Sequence, residues 1–271
     1  MYTRFPSLIV KTGSAGGGSY DSDAQAFFTG ANITDTTEKD AWNTFVNSAK
    51  SSGYYNKFYF FYPFLGSDPN KTKYNAINTS LYTITWTGSV THNSVGVEAT
   101  AINSTASTGF NPDGNFYYND AHIGYYLDIN SLDSAISIDI PMLETNAICG
   151  IYLQYNGTSW GRANMMNSIS GVVYASNTSG LYAINTEYNT GASEWEYKAY
   201  TNGSVTETFQ GTGSEDATGA TGLNLFYYYV SAYYSLANLR CAYAAQGFTA
   251  SEMTDFNTHL QTFMTALGRN L

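Results

Sequence analysis

Charge is scarce in this chain. Asp, Glu, Lys and Arg make up 12% of it, about half the share usual in a globular protein. Basic residues are the scarcer kind, with 11 Lys and Arg against 21 Asp and Glu and a formal net charge of −10. That balance excludes the basic stripe needed to displace counterions from nucleic-acid phosphate, and it disfavours docking on an anionic membrane. Long apolar runs are absent as well. None approaches the ~18 residues of a membrane span, so no membrane insertion is expected. The segment Met1 to Lys11 has neither a long apolar core nor a small-residue cleavage site, and does not read as a signal peptide.

Cysteine occurs twice, at Cys149 and Cys241, too few for a disulfide framework and with no partner at zinc spacing. Both lie in apolar runs, which favours two buried thiols over one bridge without excluding the bridge. The three histidines, His92, His122 and His259, are far apart and show no metal-ligand spacing. Each is expected to be a surface or hydrogen-bonded residue. Gly-x-Ser-x-Gly, P-loop and EF-hand patterns are missing, and no metal site is assigned.

What fills the chain instead is uncharged and polar. Tyrosine alone accounts for 25 residues, amid abundant Asn, Thr, Ser and Gly, while 43% of the chain is hydrophobic. A core large enough to need no disulfide or metal is within reach at this length. The many Asn-x-Ser/Thr triplets, such as Asn32, Asn70 and Asn202, follow from that composition. Residues 1–20 hold an apolar piece (Leu8, Ile9, Val10) and the glycine-rich stretch Thr12 to Ser19, a flexible segment suited to plugging into another protein.

Helices are expected at about 23–29, 35–52 and 250–267. In the second, Ala41, Trp42, Phe45, Val46 and Ala49 recur at helical spacing and Gly53 follows as a stop. In the last, Thr249-Ala-Ser-Glu252 is a capping box ahead of the stripe Met253, Phe256, Leu260, Phe263, Met264 and Leu267. From Lys57 the period becomes two. Strands are expected at 57–62, 81–86, within 117–128, and at 135–140, 147–154, 171–175, 180–184, 194–200, 204–209, 223–230 and 239–245. Turn signals such as Asn156-Gly157 and Asn202-Gly203 separate them. Short strands with regular turns indicate a sandwich or barrel, and the architecture expected is an all-β, two-sheet antiparallel sandwich with helices on its flank.

Several local patterns recur in a familiar order. Lys57-Phe-Tyr-Phe-Phe-Tyr-Pro-Phe-Leu-Gly66 follows the long helix. Then come Gly88-Ser-Val-Thr-His92, Thr108-Gly-Phe-Asn-Pro112, Asn119-Asp-Ala-His-Ile-Gly-Tyr-Tyr126, Arg240-Cys-Ala-Tyr243 and Phe263-Met-Thr-Ala-Leu-Gly-Arg269. Over 21–271 this order resembles the concanavalin A-like (laminin-G/lectin/glucanase-like) modules of bacteriophage tail-fibre and other virion proteins, and similar modules in Bacteroidetes genomes. The resemblance implies a jelly-roll sandwich and adhesion to host-surface glycan. It carries no motif that assigns binding residues.

Glycosidases need two carboxylates about the scissile bond, roughly 5–5.5 Å apart for retention. The Glu-x-Asp-x-x-Glu strand of retaining glucanases with this fold is missing here. The nearest pattern is Glu194-Trp195-Glu196, where strand geometry puts both carboxylates on one face and the indole on the other. It reads more readily as a polar face over a buried tryptophan than as a catalytic pair. Sugar binding asks for flat apolar faces and orienting polar groups, and Tyr152, Tyr155, Trp160 and Arg162 around the Asn156-Gly157 turn supply both. The candidate binding residues are these four with Glu194 and Glu196, for glycan or for subunit packing. No cofactor is required, although Asp128, Asn130 and Asp216 are oxygen donors of the kind calcium uses.

The expectation is thus a non-enzymatic protein of a bacteriophage particle: a spike, head fibre or decoration that binds host-surface glycan. A purely structural virion component is the alternative, and a glycan hydrolase the third reading. Partners would be other virion proteins, met through residues 1–20, and further copies of itself. Such a protein is made in the host bacterial cytoplasm and leaves by lysis, which fits the missing signal.

Overall fold

The structure is a computed structural model. It describes residues 19–101, 104–117, 119–128, 138–139, 150–155, 159–165, 168–170, 179–191, 193–210, 222–228, 233–234 and 238–271. Residues 1–18 of the expected N-terminal anchor (1–20), Cys149, Asn130, Asp216 and the strand at 171–175 lie outside the described residues.

Two helices come first, α1 (Ser22–Gly30) and α2 (Thr36–Ser51), each started by an aspartate. Asp21 and Asp35 accept backbone N–H bonds from Asp23 and Glu38 at 2.9 Å. After β1 (Phe58–Tyr62) comes the single turn α3 (Pro69–Thr72), and the last helix is α4 (Ala250–Ala266). The α4 capping box is fully formed: Glu252 N–H donates to Thr249 Oγ1, and Thr249 N–H donates to Glu252 Oε2. Strong local signals therefore set the helices where the sequence places them.

The main sheet is antiparallel and eight-stranded. With β1 it holds β3 (Val90–Asn93), β4 (Gly96–Ala99), β6 (His122–Asp128), β11 (Gly180–Asn189), β12 (Glu194–Thr201), β13 (Ser204–Gln210) and β17 (Asn238–Ala245). A second sheet orders β14 (Asn224–Leu225), β5 (Thr105–Ser107) and β2 (Thr85–Thr87). A third orders β10 (Ser168–Ser170), β9 (Ser159–Met165), β8 (Gly150–Tyr155) and β7 (Ile138–Asp139). A small pair joins β15 (Tyr227–Tyr228) to β16 (Tyr233–Tyr234). The result is the expected mostly-β, sandwich-like fold with flanking helices.

The central strands of the main sheet, β6, β11 and β17, are buried on both faces, which gives two cores. Toward the smaller sheets, Ile123, Tyr125, Leu127, Tyr182 and Ile184 pack with Phe110, Phe116 and Leu225. Toward the helices, Tyr126, Leu181, Ala183, Cys241 and Tyr243 pack with α1, α2 and α4. Trp42 centres this second core, its ring 5.2 Å from those of Phe45 and Phe61 and 5.7 Å from that of Phe263. Each such buried aromatic contributes roughly 1.5–3 kcal/mol of transfer free energy. Strand β17 is buried along its whole length, and from Cys241 to Ala245 it reads as a continuous apolar run instead of an alternating one. Opposite Tyr243 stands Gly124, where a Cβ would sit 2.2 Å from the tyrosine hydroxyl. Only glycine lets that ring lie across β6.

Three expectations need correction. The strand at 81–86 shrinks to Thr85–Thr87, because Asn78 turns the chain (Ser80 N–H donates to its Oδ1, Leu81 N–H to its backbone oxygen) and Tyr82 is left-handed at φ 54°. In 223–230, Phe226 at φ 64° breaks the run into two short pieces. His122 is neither at the surface nor hydrogen-bonded with normal geometry: it is fully buried, between the rings of Tyr243 and Phe248. His92 and His259 do pair as expected, with Thr72 Oγ1 at 2.7 Å and the Tyr54 hydroxyl at 2.8 Å. Cys241 is a buried free thiol whose pKa burial pushes well above the usual range.

At the chain's end, Arg269 is fully buried and donates to the backbone oxygens of Ser94, Pro63, Phe64 and Arg240. Arg240 in turn donates to Arg269 O and to Asp128. The two arginines tie the residues after α4 to the sheet.

Candidate functional site

The β11–β12 hairpin projects beyond the cores, and its tip meets the start of α4. A cleft of about 530 Å³ opens there, within the size range of small-molecule sites. Its aromatic wall is a cross-strand pair. Tyr188 and Trp195 stand opposite each other in the hairpin register, ring centroids 5.1 Å apart and planes at 59°. Ile184 and Tyr197 belong to the closed core further down the strands, whereas this pair lies toward the hairpin tip and stays partly open. Tyr188 is 49% exposed.

The floor is polar and tightly built. Asp120 Oδ1 accepts the Gly247 N–H at 2.7 Å, which fixes its carboxylate. Thr186 Oγ1 accepts from Ala121 N–H at 2.9 Å and donates to Ala121 O at 3.2 Å. A Cβ on Gly247 would come within 2.9 Å of Thr186 Oγ1, so a glycine is needed for this close approach. Beside it Phe248 is clamped by Asn185, which accepts its N–H at 2.8 Å and donates to its backbone oxygen at 2.7 Å.

Glu187 completes the lining, and its oxygens are committed. It accepts from Asn185 Nδ2, from the Tyr200 hydroxyl and from Lys198 Nζ, the last at 2.8 Å. Burial works against the Lys198 ammonium, yet the bond and charge of Glu187, with the charge of Glu196, hold its pKa above the usual lysine range. Burial and the same carboxylate raise the Tyr200 hydroxyl. Lys57 beneath Phe248 is bound likewise, to Glu252 at 2.6 Å and Gly247 O at 3.0 Å. For Glu252, burial pushes the pKa up, but the Lys57 bond outweighs it and holds the carboxyl below its ordinary value.

The sequence-derived candidates are divided between two places. Glu194 and Glu196 lie on β12 with Trp195 between them, facing the opposite side of the sheet. Glu196 bonds to Asn189 Nδ2 and lies 3.7 Å from Lys198. Trp195 is half-buried where a buried one was expected. Tyr152, Tyr155, Trp160 and Arg162 fall on β8 and β9 in another sheet, where Tyr152 pairs with Arg162, Trp160 with Gln154 and Tyr155 with Ser159. Their side chains lie outside the described residues. Asp128 serves Arg240 and Ser179. Among the described residues no group of three or more His, Cys, Asp or Glu side chains is placed to hold a metal ion.

Sequence reasoning missed Tyr188, Asp120 and Gly247. For Tyr188 a signal existed: the alternation Tyr182, Ile184, Thr186, Tyr188 continues to the turn at Thr190-Gly191, and folding back there sets it opposite Trp195. Asp120 and Gly247 come from distant segments and carry no local signal.

Comparison with known proteins finds no matching family model and no matching curated protein. Solved structures do match. Domain 4 of AbnA, a GH43 extracellular arabinanase from Geobacillus stearothermophilus solved with arabinotriose, is similar at TM-score 0.51 and 14% identity, over 74% of this chain and 98% of that one. A botulinum neurotoxin type C structure, from work on its cell entry through two ganglioside molecules, matches at TM-score 0.50 and 12% identity. That match covers 77% of this chain and 53% of the toxin chain, about half its length. The likeness is one of fold.

Proposed function

We propose that this chain is a non-catalytic carbohydrate-binding module that takes its sugar in the Tyr188–Trp195 cleft. The aromatic pair carries the reading. Two rings left open at the end of a closed core, above a floor of fixed polar groups, supply the stacking faces and the orienting acceptors a saccharide needs. One fold neighbour, solved with arabinotriose, fits the same use. Hydrolysis is disfavoured because the facing carboxylates Glu187 and Glu196 share Lys198 and are further held by Asn185, Asn189 and Tyr200. A retaining pair must instead reach the sugar from both sides.

The setting we favour is the surface of a bacteriophage particle, as a spike, head fibre or decoration, assembled as a homo-oligomer and anchored through residues 1–20. The sequence resemblance, the charge-poor acidic surface and the glycine-rich N-terminal stretch support it. A purely structural virion role would leave particle incorporation intact with no glycan bound.

The test is a glycan array with the purified protein, with reducing-sugar release measured in parallel. Saturable binding without release is expected. Trp195→Ala should weaken it by about 2 kcal/mol, roughly 30-fold, the loss typical of an aromatic anchor. Sugar release, or binding indifferent to Trp195→Ala, would refute the reading.

A further inference from the structure

The cleft's charge pattern narrows its ligand to one class. Asp120 and Glu187 line it, and among the described residues no Lys, Arg or His side chain does. The two nearest ammonium groups are already consumed, Lys198 by Glu187 and Glu196 and Lys57 by Glu252. One positive feature remains, the N-terminal end of α4 at Thr249 and Ala250. It is answered within the protein, because the Glu252 carboxylate occupies the Thr249 N–H and the Thr249 hydroxyl occupies the Glu252 N–H. An anionic ligand would thus lie against carboxylates, in a molecule of formal charge −10, with no countercharge to meet it. An uncharged sugar meets no such barrier.

Asp120 is the group that would read it. Gly247 N–H holds Oδ1 at 2.7 Å. Oδ2 makes no hydrogen bond among the described residues. Glu187, by contrast, is saturated by its own partners. A fixed carboxylate beside an aromatic wall accepts hydroxyl donors strongly, since bonds to a charged acceptor are about twice as strong as neutral ones.

Resting on the binding function proposed above, we infer that the cleft selects uncharged saccharides, with Asp120 as the specificity-determining hydroxyl acceptor, and rejects sialylated, uronic and sulfated ones. The experiment compares each neutral glycan the protein binds with an acidic derivative of the same core, at low and high salt. Three proteins are used: wild type, Asp120→Asn and Ala250→Lys. Asparagine keeps an oxygen for Gly247 N–H, so the fold is retained, and equal thermal midpoints check this. Ala250 is exposed on the cleft rim, so a lysine there adds the missing cation.

Wild type should bind the neutral glycan at least tenfold more tightly than its acidic partner, with the gap shrinking as salt screens it. Asp120→Asn should lose about tenfold for the neutral glycan and narrow the gap, the loss of one charge-assisted bond. Ala250→Lys should raise binding of the acidic derivative severalfold. Equal or tighter binding of acidic derivatives by wild type would overturn this inference and leave the binding function standing. So would an Asp120→Asn variant with unchanged affinities. Absence of binding to any saccharide would overturn both.

Discussion

Replacing Arg269 with methionine is expected to destabilise the fold by about 3–5 kcal/mol, the cost of leaving several buried carbonyls without their donor. The side chain is fully buried, and its guanidinium supplies Ser94 O at 2.8 Å, Pro63 O at 2.8 Å, Phe64 O at 3.0 Å and Arg240 O at 3.3 Å. Burial lowers its pKa to about 10, so it is still charged at neutral pH. Methionine fills much of the volume but leaves those carbonyls without a donor, each costing about 1–3 kcal/mol where water cannot reach. Phe64 adds to the loss. It is held at φ 47°, a left-handed conformation unfavourable for a bulky residue, and the Arg269 bond to its oxygen helps keep it there. Arg269→Lys should recover only part of the stability, since an ammonium cannot reproduce the planar fork. Denaturant unfolding of the three proteins measures this. A loss below about 1 kcal/mol for the methionine variant would mean that water replaces the guanidinium and the network is not structural.

Acid should unfold this protein through His122. The ring is fully buried, stacked at 4.4 Å on Phe248 and 5.2 Å on Tyr243. Burial, opposed by the Ile184 backbone and Asn185 amide, lowers its pKa to about 3. In the unfolded chain the value returns to about 6.5. Between those pH values the unfolded state binds the extra proton, so stability rises with pH and falls on acidification. The loss begins below about pH 6.5 and reaches on the order of 5 kcal/mol near pH 3. Glu252, whose folded pKa is depressed, adds a smaller loss of the same sign as pH falls below its unfolded value. His122→Phe removes the titrating group while keeping the stack. Thermal midpoints from pH 7 to pH 3.5 should therefore fall much less steeply in the variant. Parallel curves for the two proteins would show that His122 is not the sensor.

The contrast between these two residues shows what the sequence exposes. The helices were legible because their signals are local: a capping aspartate or threonine, then apolar residues at helical spacing. The all-β class was legible because period two survives in Ile123-Gly-Tyr125-Tyr-Leu127 and Glu194-Trp-Glu-Tyr197. Strand limits were less so, since Tyr82 and Phe226 take left-handed backbone that nothing in their neighbourhood announces. His122 looked like a polar residue seeking a partner, and its enclosure by Phe248, Phe256 and Tyr243 is created by distant chain. The cleft follows the same division. Trp195 stood out from the alternation of its own strand. Tyr188 depended on the hairpin register, and Asp120 and Gly247 on a meeting of three segments.

Strand β17 has a consequence for how the molecule is made. It pairs with β1, β4 and β6, so it is the hub of the main sheet. All three partners precede it in the chain, β1 by most of the chain's length. During synthesis they leave the ribosome before the strand that joins them, with hydrogen-bonding edges open and aromatic faces wet. Contacts so distant in sequence place the fold among slow folders, at about milliseconds to seconds, and unpaired strand edges waiting in a crowded cell are aggregation-prone. The nascent chain is therefore a natural client for chaperones. Its yield in a foreign host should depend more on translation speed and temperature than on the stability of the finished protein.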